Sequence, residues 1–428
     1  MRLRLSALLV CFACGVTSVA WGQALTSIQG PNLETMSYGL QGISPRNGPV
    51  GAKLGESTLL HLGIGAEVGY DSNVYYSPDR KASPIARVTP ALNLSNAERD
   101  GTLPDGLAYD FSASLGYREY LASDEDIRKQ RAFIPSAGLL LQFSSKQTLS
   151  LSFSDNFTRS VDPPYVAAAD PITHDRNIAG LQLKLAPGGG RLQLTLRANS
   201  VLDYYEGETY KSGSNLGHEG VLDVSWRWLP KTAFFLQVAQ GVITYLNSTP
   251  GRYSSYPLRA TAGMRGLLTE KLALNIGAGY VNTFYVSDGA NPSGFNNVIL
   301  FAELIHKISI TSTAGLGYRH DVRNSPFVGD FYETHAIYAA LRQLVAGRLA
   351  LAGYARFENR AYQSKAMSAA GISRSDKVGM TGLTADYIIA RMFYLGVGYS
   401  LTMTRTSNTQ IGIEYTKHVI TGRLGFVY

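Results

Sequence analysis

Cysteine is nearly missing from this chain: 428 residues hold two, Cys11 and Cys14, both inside the first apolar stretch. Once that stretch is removed the protein has no thiol, which excludes a disulfide framework, a thiolate nucleophile and a cysteine-based metal site. Charge is scarce too. Asp, Glu, Lys and Arg make up 17%, and the formal surplus of +7 comes without a dense Lys/Arg run, so no nucleic-acid partner is expected. Beyond residue 22 no window approaches the roughly 20 apolar residues of a spanning helix. No Gly-x-Ser-x-Gly element occurs, nor any local metal-ligand spacing. The seven histidines (61, 174, 218, 306, 320, 335 and 418) are scattered. His174-Asp175 and His320-Asp321 are adjacent, but neighbours in a strand point to opposite faces and cannot form a base and its orienter. Neither an enzyme nor a cofactor is expected, and a lipase- or protease-type barrel is a minor reading.

What is present points to strands in a membrane. The chain has 44 glycines and 26 tyrosines, with a mean hydropathy of −0.04. That is too polar for a helical membrane protein and suits a wall that is apolar on one side only. Met1-Arg2-Leu3-Arg4, an apolar Leu5 to Val19 and the small residues of Ala20-Trp21-Gly22 read as a signal peptide over 1–22, with Gln23 as the mature N-terminus. Its loss removes Arg2 and Arg4 and takes the charge from +7 to +5. A lipoprotein reading through Cys11 or Cys14 has Val10 before the first cysteine and too short an apolar stretch before either.

From Thr58 to Tyr428 the sequence divides into eighteen segments of period 2, near 58–71, 84–96, 106–121, 131–145, 147–160, 174–187, 191–205, 216–229, 231–246, 255–269, 271–286, 295–307, 308–322, 331–345, 347–361, 375–390, 391–405 and 414–428. Period 2 places alternate side chains on opposite faces, and a barrel in lipid alternates apolar outside with polar inside. In 191–205, Leu192, Leu194, Leu196, Ala198 and Leu202 alternate with Arg191, Gln193, Thr195, Arg197, Asn199 and Asp203. Connections alternate in length as well: Pro187-Gly188-Gly189-Gly190 and His306-Lys307 are short, whereas Val161 to Thr173 and Tyr362 to Arg374 are long and polar. Short periplasmic turns and long outer loops are the asymmetry of an outer-membrane barrel. The connection from Ala97 to Asp105 is too long for its side. The expected architecture is an all-β, antiparallel up-and-down transmembrane barrel over 58–428, preceded at 23–57 by a periplasmic tail or plug. A soluble β-sandwich with one wet face would alternate too, but without the signal peptide or the terminal aromatic.

The chain ends on Phe426-Val427-Tyr428, which resembles the C-terminal signal read by the barrel assembly machinery. Phe426 and Tyr428 are the candidate signal, although Arg423 stands where a glycine is usual. Inward register collects mixed charges: Arg118, Lys184, Arg191, Arg197, Arg227, Arg319, Arg356 and Arg423 against Asp110, Asp203, Asp223, Glu303, Asp321, Glu358 and Asp386. No sign dominates, which suits neutral or weakly anionic solutes such as saccharides, and the same charges could pair across strands as mere stabilisation. Aromatics at strand ends, among them Tyr70, Tyr75, Tyr76, Tyr204, Tyr205, Trp226, Trp228, Tyr280 and Phe284, read as girdles at the two interfaces. Tyr120, Tyr245, Tyr285, Tyr354 and Tyr394 fall on the inward register and leave open a stacking track for sugar rings.

The octet Gly69-Tyr70-Asp71-Ser72-Asn73-Val74-Tyr75-Tyr76 resembles the end of the first strand in the β-barrel porin type 2 group of outer-membrane barrels. That resemblance implies exopolysaccharide export, with outer-membrane lipid, a saccharide substrate and periplasmic polysaccharide-export proteins as partners. The residues by themselves leave a general or saccharide-preferring solute porin as the alternative, and a surface receptor or adhesin as a further one.

Overall fold

The structure is a computed structural model that describes residues 51–55, 57–96, 106–145, 148–161, 172–208, 210–247, 253–285, 295–325, 331–363, 367, 370–390, 392–409 and 414–428. The signal-peptide reading, nearly all of the 23–57 segment and the 97–105 connection lie outside these residues. A short strand β1 (Ala52–Leu54) precedes eighteen long ones: β2 (Thr58–Asp71), β3 (Ser83–Ser95), β4 (Gly106–Tyr120), β5 (Ala132–Ser145), β6 (Leu149–Ser160), β7 (His174–Leu185), β8 (Leu192–Tyr205), β9 (Asn215–Leu229) and β10 (Thr232–Tyr245). The second half comprises β11 (Ser255–Leu267), β12 (Leu272–Tyr285), β13 (Asn296–Ser309), β14 (Ser312–Asn324), β15 (Phe331–Val345), β16 (Leu349–Gln363), β17 (Arg374–Ala390), β18 (Phe393–Thr406) and β19 (Tyr415–Val427).

Each long strand pairs antiparallel with the next, and β19 pairs with β2 from Val419↔Asp71 to Val427↔Gly63, so the sheet closes. Closure removes every edge whose N–H and C=O groups lipid could not satisfy. The expected eighteen-strand barrel is therefore what the chain forms. With strands about 4.8 Å apart and tilted by about 40°, its backbone diameter is about 35 Å.

The two faces follow from the alternation. On β2, Leu62, Ile64, Val68 and Tyr70 are exposed while His61 and Asp71 are buried. On β19, Ile420 and Leu424 are exposed while Lys417, Arg423 and Val427 are buried. Exposed apolar residues recur on this register around the wall, and aromatic ones flank them: Tyr70, Tyr204, Tyr256 and Tyr280 near the outer ends, Trp226, Trp228, Phe234 and Phe393 near the inner turns. This is the surface of a barrel that sits in a bilayer. Tyr75, Tyr76 and Tyr205 are not part of the girdle. Tyr75 and Tyr76 lie in the β2–β3 loop, Tyr76 with a positive φ of 54°, and Tyr205 is buried on the inner register, stacked on His174 at 4.3 Å.

Glycine and tyrosine abundance have a joint cause on the inner face. A Cβ on Gly317 would lie 2.3 Å from the Tyr338 ring, one on Gly382 2.2 Å from Tyr354, and one on Gly425 2.0 Å from Tyr394. Each tyrosine lies flat over the bare backbone of a neighbouring strand, so large rings line the wall without filling the lumen.

The last residues close the cylinder. Tyr428 N–H donates to Leu62 O at 2.7 Å, Leu62 N–H donates to Tyr428 O at 3.0 Å, and the Phe426 ring meets Phe393 at 5.0 Å. Replacing Phe426 and Tyr428 by glutamate removes the aromatic end and places two charges on the lipid-facing register, each costing up to about 2 to 4 kcal/mol at mid-membrane and less near an interface. We expect a large loss of the heat-modifiable, folded band in outer-membrane fractions. Wild-type levels would refute the role of these two residues in assembly.

Candidate functional site: the barrel mouth

One hairpin leaves the cylinder. Pairing of β13 with β14 stops at Leu300↔His320, whereas β14 and β15 stay paired up to Asn324↔Phe331, and β12 and β13 up to Asn282↔Asn296. Above His320 the tip of the β14–β15 hairpin has separated from β13. Val322 and Phe331 continue the outward register of Tyr318 and Ile337, yet both are buried in one cluster with Val281, Phe295 and Ile299. Val281 and Ile299 belong to the inner register of β12 and β13, so the tip is bent inward and its former outer face lies against the inside wall. Polar contacts agree: Asn324 Nδ2 donates to Ser255 Oγ at 3.1 Å and Asn297 Nδ2 donates to Glu333 Oε1 at 3.1 Å.

The bent tip carries charge into the mouth. Arg259 of β11 reaches across three strands to donate to Asp321 Oδ1 at 2.7 Å and to Val322 O at 2.6 Å. Period 2 puts residues i and i+2 of one strand on the same face, and three such runs follow. Arg319, Asp321 and Arg323 share the inner face of β14; Arg356, Glu358 and Arg360 share that of β16; Arg374 and Asp376 share that of β17. Glu358 accepts from Arg356 Nε and Arg360 Nε at 2.8 Å each, and Asp376 accepts from Arg374 Nη2 at 2.6 Å. Arg360 and Arg374 also lie over the rings of Tyr332 and Tyr362, at 5.7 and 4.7 Å from the centroids. The Tyr332 and Tyr362 rings are 5.4 Å apart. On these runs and at Arg259 six buried guanidiniums meet three buried carboxylates, and buried Glu219, which interacts with Arg259, and buried Glu303, one strand from Arg319, bring the carboxylates to five.

Tyr205 of β8 lies near Tyr245 of β10 and Tyr332 of β15 in the mouth. Strands seven apart in an eighteen-strand cylinder are separated by most of its diameter of about 35 Å. The inward bend brings Tyr332 across, and tyrosine and arginine line this part of the mouth. The opposite part of the wall is different. Ser112 and Ser114 of β4, Ser136 of β5, and Ser150, Ser152 and Ser154 of β6 share the inner register, with Ser114 and Ser136 Oγ atoms 2.7 Å apart. The lumen is basic on one side and hydroxyl-lined on the other.

The sequence-derived candidates fall as follows. Arg118, Glu303, Arg319, Asp321, Arg356 and Glu358 are buried on the inner register, as are Asp110, Asp203, Asp223 and Arg423. Lys184 and Arg197 are half-buried on that register, Arg227 is exposed near the inner turn, and Asp386 accepts from Arg423 Nε at 2.7 Å. Arg191 is a correction: it lies in the turn before β8, not on a strand. Arg259, Arg323, Arg360, Arg374 and Asp376 were missed, and with them the full arginine runs of β14, β16 and β17. The i, i+2 spacing was in the sequence; strands β14 and β17 extend past the expected ends and bring Arg323 and Arg374 onto the wall. Tyr120, Tyr245, Tyr354 and Tyr394 occupy the inner register, and the Tyr285 side chain is outside the described residues.

The octet is a fastening. Asp71 accepts from Lys417 Nζ at 2.7 Å, from Tyr120 OH at 3.3 Å and from the Asn73 N–H at 3.0 Å. Asn73, fully buried, donates to Ser77 O and Thr416 O, while Val74 packs with Ile85, Tyr120 and Ile127. The motif ties the β2–β3 loop to the barrel seam.

No family model matches the chain, and no curated protein matches it in sequence. Among solved structures it is similar to OccAB3 of Acinetobacter baumannii (11% identity, 87% of this chain and 99% of that one, TM-score 0.47). It is also similar to OccK1 (OpdK) of Pseudomonas aeruginosa (12%, 86% and 99%, 0.48) and to OpdL of the same organism (14%, 87% and 98%, 0.44). The OpdK protein has also been solved with vanillate. Likeness this faint concerns the run of strands and decides nothing about the solute.

Because Val322 anchors the tip, Val322→Asp places a charge in the apolar cluster and releases the hairpin from the wall. We expect a higher single-channel conductance from a barrel that still shows heat-modifiable migration. Unchanged conductance from folded protein would show that the tip does not narrow the passage.

Proposed function

We propose that this protein is an outer-membrane diffusion channel for small organic anions, carboxylates above all. The observation that carries the reading is the arginine–tyrosine cluster, where five guanidiniums and three carboxylates line the inner faces of β14, β16 and β17. A narrow, low-dielectric mouth with surplus positive charge concentrates anions. Guanidinium matches a carboxylate with two parallel hydrogen bonds, and a planar ring offers stacking to an unsaturated solute. Exchange among many similar guanidiniums along β14, β16 and β17 favours passage over tight capture.

This is the solute-porin alternative of the sequence reading, narrowed to anions. Export of a polysaccharide, implied by the octet, draws no support from that octet's role as a seam fastening, nor from a mouth partly closed by a folded-in hairpin.

In a planar bilayer with a potassium chloride gradient, the reversal potential should report preference for chloride, and benzoate should reduce the chloride current saturably. The double variant R319Q/R323Q leaves Asp321 bound to Arg259 and should lower the anion-to-cation permeability ratio by about half or more. Cation preference in the wild type would refute the proposal. A silent wild-type barrel, together with loss of surface polymer in a deletion strain, would restore the export reading.

A further inference from the structure

The β14–β15 register brings His320 together with Glu333 and His335, 13 and 15 positions further along the chain. His320 pairs directly with His335, and Glu333 lies one inter-residue step beyond on the same face, opposite Val322. One donor atom from each of His320, Glu333 and His335 lies within 4.8 Å of the others. We propose that these three residues form a binding site for a borderline divalent transition cation, Zn2+ above all, at the point where the hairpin leaves the wall. The site is independent of what the barrel passes.

Geometry and donor type support this assignment together. Two ligands of a tetrahedral Zn2+ at bond lengths near 2.1 Å are about 3.4 Å apart. His320 Nε2 and Glu333 Oε1 are already at 3.3 Å. The imidazoles of His320 and His335 are stacked with centroids 4.3 Å apart, so both can present a nitrogen to one side of the pair. His335 is exposed and free to turn by the remaining fraction of an ångström or more. Its Nδ1 lies 3.0 Å from Tyr318 OH. A proton on Nδ1 held by that hydroxyl leaves Nε2 as the free lone pair, which is the usual outer-shell arrangement of a ligating histidine. Glu333 is oriented in the same manner by Asn297 Nδ2 at 3.1 Å.

A second observation comes from His320 itself. Its side chain is nine-tenths buried, and Nδ1 has no hydrogen-bond partner. No side chain fixes the His320 ring through Nδ1, so Nε2, which faces Glu333, is its one engaged nitrogen. Two imidazoles and one carboxylate select Zn2+ and its first-row neighbours over Mg2+ and Ca2+, which take oxygen ligands. Three protein ligands leave the fourth position to water. Because His320 is the last β14 residue paired to β13, a bound cation fastens the two strands of the hairpin at its bend.

The test uses the full-length folded barrel in detergent, titrated calorimetrically with zinc chloride. One site per chain with a micromolar or tighter dissociation constant is expected, resistant to a hundredfold excess of Mg2+. H335A and E333Q, both at positions that are not fully buried, should each weaken it by about tenfold or more, and H320A/H335A should abolish it. Heat-modifiable migration checks that each variant is folded. Absence of saturable binding in the wild type, or binding that survives in folded H335A and E333Q, overturns the proposal. If H320A/H335A fails to fold, the two single variants decide.

Discussion

Everything in this protein depends on the pairing of β19 with β2. An open sheet in hydrocarbon would leave a full row of backbone donors and acceptors unsatisfied, each at a cost of several kcal/mol. The reciprocal bonds between Leu62 and Tyr428 complete the last pairing. Once closure is imposed, the strict alternation of side chains follows, and with it one apolar and one polar surface. The apolar one needs only to match lipid, which explains its plain composition of Leu, Ile, Val and Phe. The polar one carries all the variety in the chain.

The folded-in hairpin shows what the closure constraint permits. β13 residues 296–299 lack a β14 neighbour, which would be intolerable in the middle of a bilayer. At the mouth, side chains take over part of the pairing. Arg259 replaces part of the pairing by binding Val322 O, and the Val281, Ile299, Val322 and Phe331 cluster supplies an apolar seat. Burying guanidinium and carboxylate here costs desolvation, but each carboxylate of the network has at least one guanidinium within hydrogen-bond distance, and removing a single partner would be far worse than the pair itself.

Much of this was legible in the sequence and some was not, for physical reasons. Strand number and bounds were readable because period 2 is enforced over a dozen residues at a time; β7, β8 and β19 lie within two residues of their expected limits at both ends, β8 opening on Leu192 where Arg191 was expected. Arg191 was misplaced because alternation alone cannot tell a turn from a strand's first residue. The bend of the hairpin left no periodic trace, since His320 and Val322 keep the register of Tyr318 while facing a different environment. The arginine runs were read incompletely for a related reason: Arg323 and Arg374 lie at strand ends, where boundaries are least certain. His320 and His335 look unrelated in a linear search, and only the register of β14 on β15 pairs them.

The octet and the arginine runs draw opposite lessons from equally visible patterns. Asp71 and Asn73 are buried and spent on the seam, holding the β2–β3 loop through Lys417 and Thr416, so likeness in that octet is likeness in how a barrel is locked. The arginines of β14, β16 and β17 are buried as well, two to one carboxylate on β14 and β16 and one to one on β17. The opposite wall carries serines from β4 to β6 with no comparable charge. On the proposed function, a solute with a carboxylate at one end and hydroxyls along its length enters in one preferred orientation, with its anionic group along β14, β16 and β17.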